Sequence, residues 1–545
     1  MRRALRITPV LLLLALLPAR AGAVEPLPKV WVELPRSDRV DEPADLPFPP
    51  APNAAALERR ARRGRPDRIE LLSRGPSVEA LRAVQATGAR IVRISRWASS
   101  VSVEADATAR RRLAARFGRD ALRPVATLRR SDPRIEEPVR DLRRFSAVPD
   151  AGYGLSRAQV TQIGIDHLHE RGLTGEGLRV LVLDSGYRVD HPALADTRIE
   201  ATWDFVNDDA DVGNDPGEFD TQDRHGTGVL GVMGGFVEGD LVGVARDARY
   251  LLAKTELISS ETRMEEDAFV AALEWGEALG ADVMNASLGY RTFYDEPDTF
   301  AYDFEDLDGD TAVTTRAVDD LVALGVVAVT SAGNSGSEPG TLLTPADADS
   351  SLAIAAVDTN GVVTWFSSRG PTADGRIKPD LAALGLRVRW ADTTLEGGTG
   401  WASGTSLSSP LVAGAVTLLL QAHPEWGPGE VGAALRATAS QAQSPDTALG
   451  WGVIDAAAAA FDVEAPQVPL PFALREPGAG AAVDGDAVTF LWDAAKDLQT
   501  PGSLSYRVEV GSDEGFTVPD AVFEAGPDTV RTVALAGAGT QWWRV

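Results

Sequence analysis

The 545-residue chain contains no cysteine, so no disulfide staples it and no thiolate can act as nucleophile or metal ligand. Histidine is nearly as scarce. His167, His169, His191, His225 and His423 supply every imidazole, so a general base of that kind is one of five residues. Positive charge is also short: 53 Lys and Arg stand against 79 Asp and Glu, a formal net charge of −26, which repels a phosphate backbone and excludes nucleic acid as a natural partner. Long apolar runs are missing after the start. There, MRRALRITPVLLLLALLPARAGAVEP joins a basic stretch to an apolar run too short for a bilayer and ends it at Ala21-Gly22-Ala23. Residues 1–23 therefore read as a signal peptide and the product as secreted, with no membrane span.

What is present divides into segments, as expected of a chain too long for one core. Residues 24–130 are Arg-rich and mix helical spacing (SVEALRAVQATGA, ARRRLAARFG) with strand-like alternation (RIVRISRWASSVSVEA), predicting a small α+β unit. Residues 131–155 are charged, broken by Pro and Gly and without a steady period, the pattern of a linker. From 156 to 463, the apolar runs RVLVLDSG, YLLAKTEL, ADVMNASLG, GVVAVTSAGN and LAIAAVD alternate with helical stretches. Strands buried on both faces read this way, which predicts a three-layer α/β domain around a parallel sheet. A Pro-rich linker, 464–478, leads to short alternating strands over 479–545, AVTFLWDAA, SYRVEVGSD, TVRTVALAG and TQWWRV, expected to form a β-sandwich left incomplete at Val545.

The chemistry is concentrated in the central segment. WASGTSLSSPLVAGAVTLLL, residues 401–420, places Ser403, Ser406, Ser408 and Ser409 ahead of an apolar helix, where capping is the ordinary role of serine. His225, in QDRHGTGVLGVMGG, sits where small neighbours allow close packing at a helix start, whereas His423 lies at the far end of the serine helix, out of reach. His191 reads as loop punctuation, and His167 and His169 as structural. Asp184 ends the strand LRVLVLD, outside the carboxyl end of a parallel sheet, where it could orient an imidazole or cap a turn. Asn334 follows GVVAVTSAGN at another such end and is either a turn residue or an amide donor for an oxyanion.

The blocks VLDSG, RHGTG, NASLG, SAGN and GTSLSSP, in the order Asp, His, Asn, Ser, resemble the subtilisin-like serine peptidases over about residues 150–462. The resemblance implies a subtilisin-like catalytic domain in which Asp184 orients the base, His225 is general base and acid, Ser406 is the nucleophile and Asn334 supplies an oxyanion donor. It makes Ser287, Leu288 and Gly289 one edge of a substrate cleft and Ser331, Ala332 and Gly333 the other. Ser403, Ser408 and Ser409 are left to the turn and cap. Departures occur at Gly228 and Leu411, where the family often has His, at Leu407, where it often has Met, and at AALG before the serine helix, where it commonly has a Pro; none removes a proton-transfer or oxyanion group, so they bear on pocket shape and not on the chemistry. A GxSxG elbow is absent, and the related acid-active sedolisins use Glu where His225 stands. An altered set of the four residues would have indicated a silent peptide-binding relative, but all four positions are filled.

Further expectations follow from the resemblance. The function implied is a secreted serine endopeptidase acting through an acyl-enzyme, with polypeptide substrates. The α+β unit becomes a propeptide that chaperones, inhibits and is then self-cleaved within 131–155, its basic surface matched to an acidic catalytic domain so that docking is salt-sensitive. The C-terminal module resembles fibronectin type III, with Trp492 and Tyr506 in its core and Trp542 and Trp543 divided between core and a ligand patch. No cofactor is needed for the chemistry. Structural calcium is a candidate at DLDGD, 306–310, where Asp310 or Thr311 as a helix cap is the competing role, and at the acidic insertion DDADVGNDPGEFD. A monomer is expected.

Overall fold

A computed structural model describes residues 29–37, 45–119, 121–124, 152–258, 265–291, 302–395, 398–461, 474–477, 487–492, 505–511, 521–526, 528–534 and 542–545. The signal segment and most of the linker region lie outside these residues.

The apolar runs of the central segment form a seven-stranded sheet in the order Leu381–Leu384, Leu352–Val357, Val327–Ser331, Val283–Ala286, Arg179–Asp184, Arg249–Lys254, Arg198–Asp204. Every pairing in it is parallel. Side chains alternate between its faces. Val180, Val182, Val283, Val329 and Ile354 join the cluster that holds the helices Arg224–Gly234 and Thr405–Ala422. Leu181, Leu183, Met284 and Ala328 face the helices Glu265–Ala278 and Val313–Ala323. The result is a three-layer α/β domain with both faces of its sheet covered, which is why its strands lack polar alternation. The Thr405–Ala422 helix is long and apolar enough to cross a membrane, against the sequence expectation, but it is buried through most of its length as the central helix of this core.

The Arg-rich unit is an antiparallel sheet in the order Arg90–Ser95, Ser100–Glu104, Lys29–Glu33, Leu122–Pro124. Helices Val78–Gln85 and Ala107–Phe117, whose N–H groups are capped by Ser77 and Asp106, give it a βαββαβ order. Two further helices, Ala54–Arg63 and Pro66–Leu72, are inserted before the first of these.

This unit docks on the Glu265–Ala278 and Val313–Ala323 side of the catalytic domain, where Trp31, Leu72 and Trp97 enter the same cluster as Phe269, Leu273 and Val318. Arg59 and Arg60 both pair with Glu277, and Arg63 with Asp282 at 3.2 Å. The side chains of Arg59 and Glu277 are each 1% exposed, so salt screens this pair far less than the basic surface alone suggested.

At the C-terminus, two three-stranded antiparallel sheets share a small core. Leu474–Glu476, Ala487–Trp492 and Val530–Ala534 form one; Ala521–Gly526, Tyr506–Gly511 and Trp542–Arg544 form the other. Trp492 and Tyr506 pack there with ring centroids 5.6 Å apart. Trp543 joins that core, its indole N–H donating to Pro477 O at 3.2 Å. The side chain of Trp542 lies outside the description.

Candidate active site

Asp184 is the last residue of its strand and is fully buried. Its Oδ1 accepts from the Ser185 N–H at 2.8 Å and lies 2.7 Å from His225 Nδ1. His225 is the second residue of its helix, and this approach depends on the glycine after it: a Cβ on Gly226 would meet Gly186 O at 2.2 Å and Asp184 Cβ at 2.9 Å. At Gly228, where the family often has a second His, the Trp390 ring occupies the space, 1.9 Å from where a Cβ would stand. Leu407 and Leu411 are fully buried core residues. Trp390, Leu407 and Leu411 all belong to the large core cluster on this side of the sheet.

Ser406 is the second residue of the Thr405–Ala422 helix, which packs against the His225 helix. Its three serine neighbours are committed elsewhere. Ser403 Oγ accepts from the Arg387 N–H, Ser408 Oγ donates to Leu384 O, and Ser409 Oγ donates to Asn285 Oδ1 at 2.7 Å. Pro410 has no N–H to return to the Ser406 carbonyl four residues back. That carbonyl instead accepts from Ser287 Oγ at 2.8 Å, which ties the first residue of one expected cleft edge to the serine helix.

Asn334 is held from the same side. Its Oδ1 accepts from both the N–H and the hydroxyl of Thr405, each at 2.9 Å, so the amide also caps the helix. This fixes its Nδ2, which is buried and has no hydrogen-bond acceptor among the described residues. A buried donor left in this way is costly unless a ligand satisfies it. Near the start of the same helix the Ser406 N–H is one of the free amides in the positive field of the helix N-terminus.

The other imidazoles are structural. His169 lies between Tyr153 OH (3.0 Å) and Val244 O (2.8 Å), His191 Nδ1 accepts from the Ala193 N–H, and His423 stacks on Trp426. His167 is exposed beside Glu170.

A model described as the subtilase family (peptidase S8) matches residues 175–452. The chain belongs to the subtilase family. As a subtilase it is 30% identical to subtilisin E of Bacillus subtilis (strain 168) across 61% of this chain and 77% of that protein. It is 31% identical to the subtilisin-like protease SBT6.1 of Arabidopsis thaliana across 49% of this chain, but spans only 24% of that protein. Among solved structures it shares the fold of fervidolysin from Fervidobacterium pennivorans, a keratinolytic enzyme related to subtilisin, with a TM-score of 0.58 and 19% identity over 94% of this chain and 70% of that one.

Two acidic stretches of this subtilase that suggested calcium are organised internally. In DLDGD, Asp308 accepts from the Asp310 and Thr311 N–H groups and the Thr311 hydroxyl. Neither Asp310 nor Thr311 caps the following helix, whose N-cap is Ala312; Asp308 closes the preceding turn instead. In the insertion after Asp204, a lysine ammonium sits where the carboxylates converge. Lys254 Nζ lies 2.9 Å from Asp204, Asp215 and Glu218 oxygens and donates to Gly213 O at 3.0 Å. Burial alone would lower its pKa, but the hydrogen bonds to Asp215, Asp204 and Glu218 outweigh burial and raise it. Among the described residues, no group of three or more His, Asp or Glu is arranged to hold a metal ion.

Lys254, Trp390 and Thr405 were not singled out in the sequence. The signal for Lys254 was a charge at the end of a strand otherwise buried on both faces.

Proposed function

We propose that this subtilase is a secreted endopeptidase, made as a self-processing precursor, that hydrolyses polypeptides with Ser406 as nucleophile. The observation that carries this reading is Asn334, whose amide is fixed through Thr405 beside Ser406 and whose buried Nδ2 has no other acceptor among the described residues.

An extended substrate adds as a strand between Ser287-Leu288-Gly289 and Ser331-Ala332-Gly333. Ser406 Oγ attacks the scissile carbonyl carbon while His225 Nε2 takes its proton, and Asp184 holds the Nδ1–H tautomer. The oxyanion is received by Asn334 Nδ2 and the Ser406 N–H. His225 then protonates the leaving amine, and water repeats the sequence on the acyl-enzyme. Replacing Asn334 by Ala is expected to lower kcat by about 100- to 1,000-fold with little change in KM, the size of loss known for the corresponding subtilisin amide; steady-state kinetics on a peptide substrate checks it.

In this proposal the βαββαβ unit is the propeptide, acting as chaperone and inhibitor. Tyr153 is buried against the catalytic domain, and three residues on the Ser156 N–H donates to Asp240 O while its Oγ accepts from the Val242 N–H. This supports a self-cleavage site within 131–155 that lies ahead of Tyr153. Purified full-length chain is expected to degrade a denatured protein and to acquire a new N-terminus in that region. A folded chain that stays intact and releases no peptides contradicts the reading.

Docking of the unit should depend on pH. Burial pushes the Glu274 carboxyl up to about 7, although Ser95 Oγ and the Arg96 and Trp97 N–H groups donate to it. Asp320, buried beside Arg68, is pushed to about 6. Both folded values lie above the ordinary carboxylate range, so this contribution to docking is complete below that range and is lost as pH rises through about 6 to 7. The cleaved unit is expected to co-elute with the catalytic domain at about pH 5 and to separate at about pH 8, and Glu274→Gln should flatten the difference.

A further inference from the structure

The gap between the two cleft edges is filled by a side chain of this protein. Ser287-Leu288-Gly289 and Ser331-Ala332-Gly333 lie at the carboxyl ends of adjacent parallel strands. Leu343 lies between them. Its N–H donates to Ala332 O at 3.2 Å, and the next residue, Thr344, exchanges backbone hydrogen bonds of 2.9 and 3.1 Å with Tyr290, which follows Gly289. The Leu343 segment is thereby stitched to both edges.

The two glycines mark where its side chain sits. A Cβ on Gly289 would lie 2.7 Å from Leu343 Cβ, and one on Gly333 would lie 2.6 Å from Leu343 Cγ. Gly333 also has φ +109°, a conformation that other residues rarely adopt. Leu343 is 5% exposed, and Leu288 and Ala332 of the two edges are 2% and 0% exposed, so the gap that Leu343 fills is closed to water.

A peptide that acylates Ser406 brings its carbonyl carbon to Ser406 and its carbonyl oxygen to Asn334, the residue directly after Gly333. With the backbone of that peptide running as a strand between the edges, the side chain of the residue carrying that carbonyl is the one that would meet the gap. We propose that Leu343 is a specificity-determining residue that closes this gap and confines the acyl-side residue of the scissile bond to Gly, Ala or Ser. The proposal rests on the peptidase reading above and names its substrate class. A methyl group fits over the Leu343 isobutyl group. A benzyl or isobutyl side chain would have to overlap it or push the substrate carbonyl away from Asn334 Nδ2, losing the oxyanion donor with it.

The test uses the self-processed enzyme and three peptidyl p-nitroanilides that differ only in the residue before the scissile bond, Ala, Leu or Phe. Active enzyme is counted by fluorophosphonate titration. The Ala substrate is expected to exceed the Phe substrate in kcat/KM by about 10- to 200-fold, and Leu343→Gly to shift that ratio toward Phe by a comparable factor, with Leu343→Val between the two. Wild-type enzyme that cleaves after Phe as well as after Ala overturns the assignment, however the variants fold. So does a folded variant with the wild-type ratio. If no substrate is cleaved and Ser406 also fails to label, the peptidase reading itself falls and takes this assignment with it.

Discussion

Ser406→Ala is expected to lower kcat by on the order of 10⁶-fold, the loss that the same change causes in subtilisin. The structure makes this a clean substitution. Ser403, Ser408 and Ser409 hold the serine helix in place, whereas the Ser406 hydroxyl makes none of those hydrogen bonds; its carbonyl, which Ser287 does use, survives the change. Binding should therefore persist while chemistry is lost, provided the inhibitory unit, which the variant cannot remove itself, is cleaved off by an added protease. Asp184→Asn should cost less, about 10⁴-fold, because the imidazole remains but favours the wrong tautomer. Single-turnover and steady-state kinetics on one peptide substrate, with folding checked by circular dichroism, distinguish the two. A folded Ser406→Ala chain within about tenfold of the parent would move the nucleophile elsewhere.

Lys254→Met should be the most destabilising of the changes considered. It removes one positive charge from a fully buried position and leaves Asp204, Asp215 and Glu218 facing one another without it. Losing one partner of a buried ion pair costs about 3–5 kcal/mol. An exposed pair such as Arg198 with Glu176, with side chains 50% and 72% accessible, falls in the range of about 0–1 kcal/mol. The consequence reaches the site. Asp204 also accepts from the Val206 and Asn207 N–H groups at the start of the segment that runs on to His225, and Lys254 stands in register with Asp184 across two paired strands. Denaturant unfolding in a Ser406→Ala background, which removes self-digestion, measures the effect. A variant within about 1 kcal/mol of that parent would show that the ammonium is not what closes the loop.

The sheet was legible where it is most buried. The five runs read as strands are its five inner strands, continuous in apolar character because helices cover both faces. The two strands that escaped notice are its edges. Arg198–Asp204 has a mixed burial pattern and carries Arg198 and Glu200, so it lacks the apolar signature. Leu381–Leu384 is four residues of Leu and Ala, a composition that reads equally as helix. In the C-terminal module, Ala521–Gly526 went unread because Gly and Pro flank it and its alternation is weak.

For the candidate site, the residues offered for chemistry, Asp184, His225 and Ser406, do lie at ends of elements, and ends can be read locally. What supports them could not be read that way. Trp390 fills the space over Gly228 from more than a hundred positions away in the sequence, and Leu343 reaches Gly289 and Gly333 through a loop that carries no motif. Lys254 compensates an insertion separated from its own strand by one helix and a two-stranded ribbon. Each is a long-range packing relation between residue types that are unremarkable alone.

The most direct measurement is to treat the full chain, wild type and Ser406→Ala, with a serine-directed fluorophosphonate and to locate the adduct by peptide mass spectrometry. The account expects one adduct per wild-type molecule, on Ser406, and none on the variant. An adduct on Ser403, Ser408 or Ser409, or a folded and processed wild type that takes no label, would contradict it.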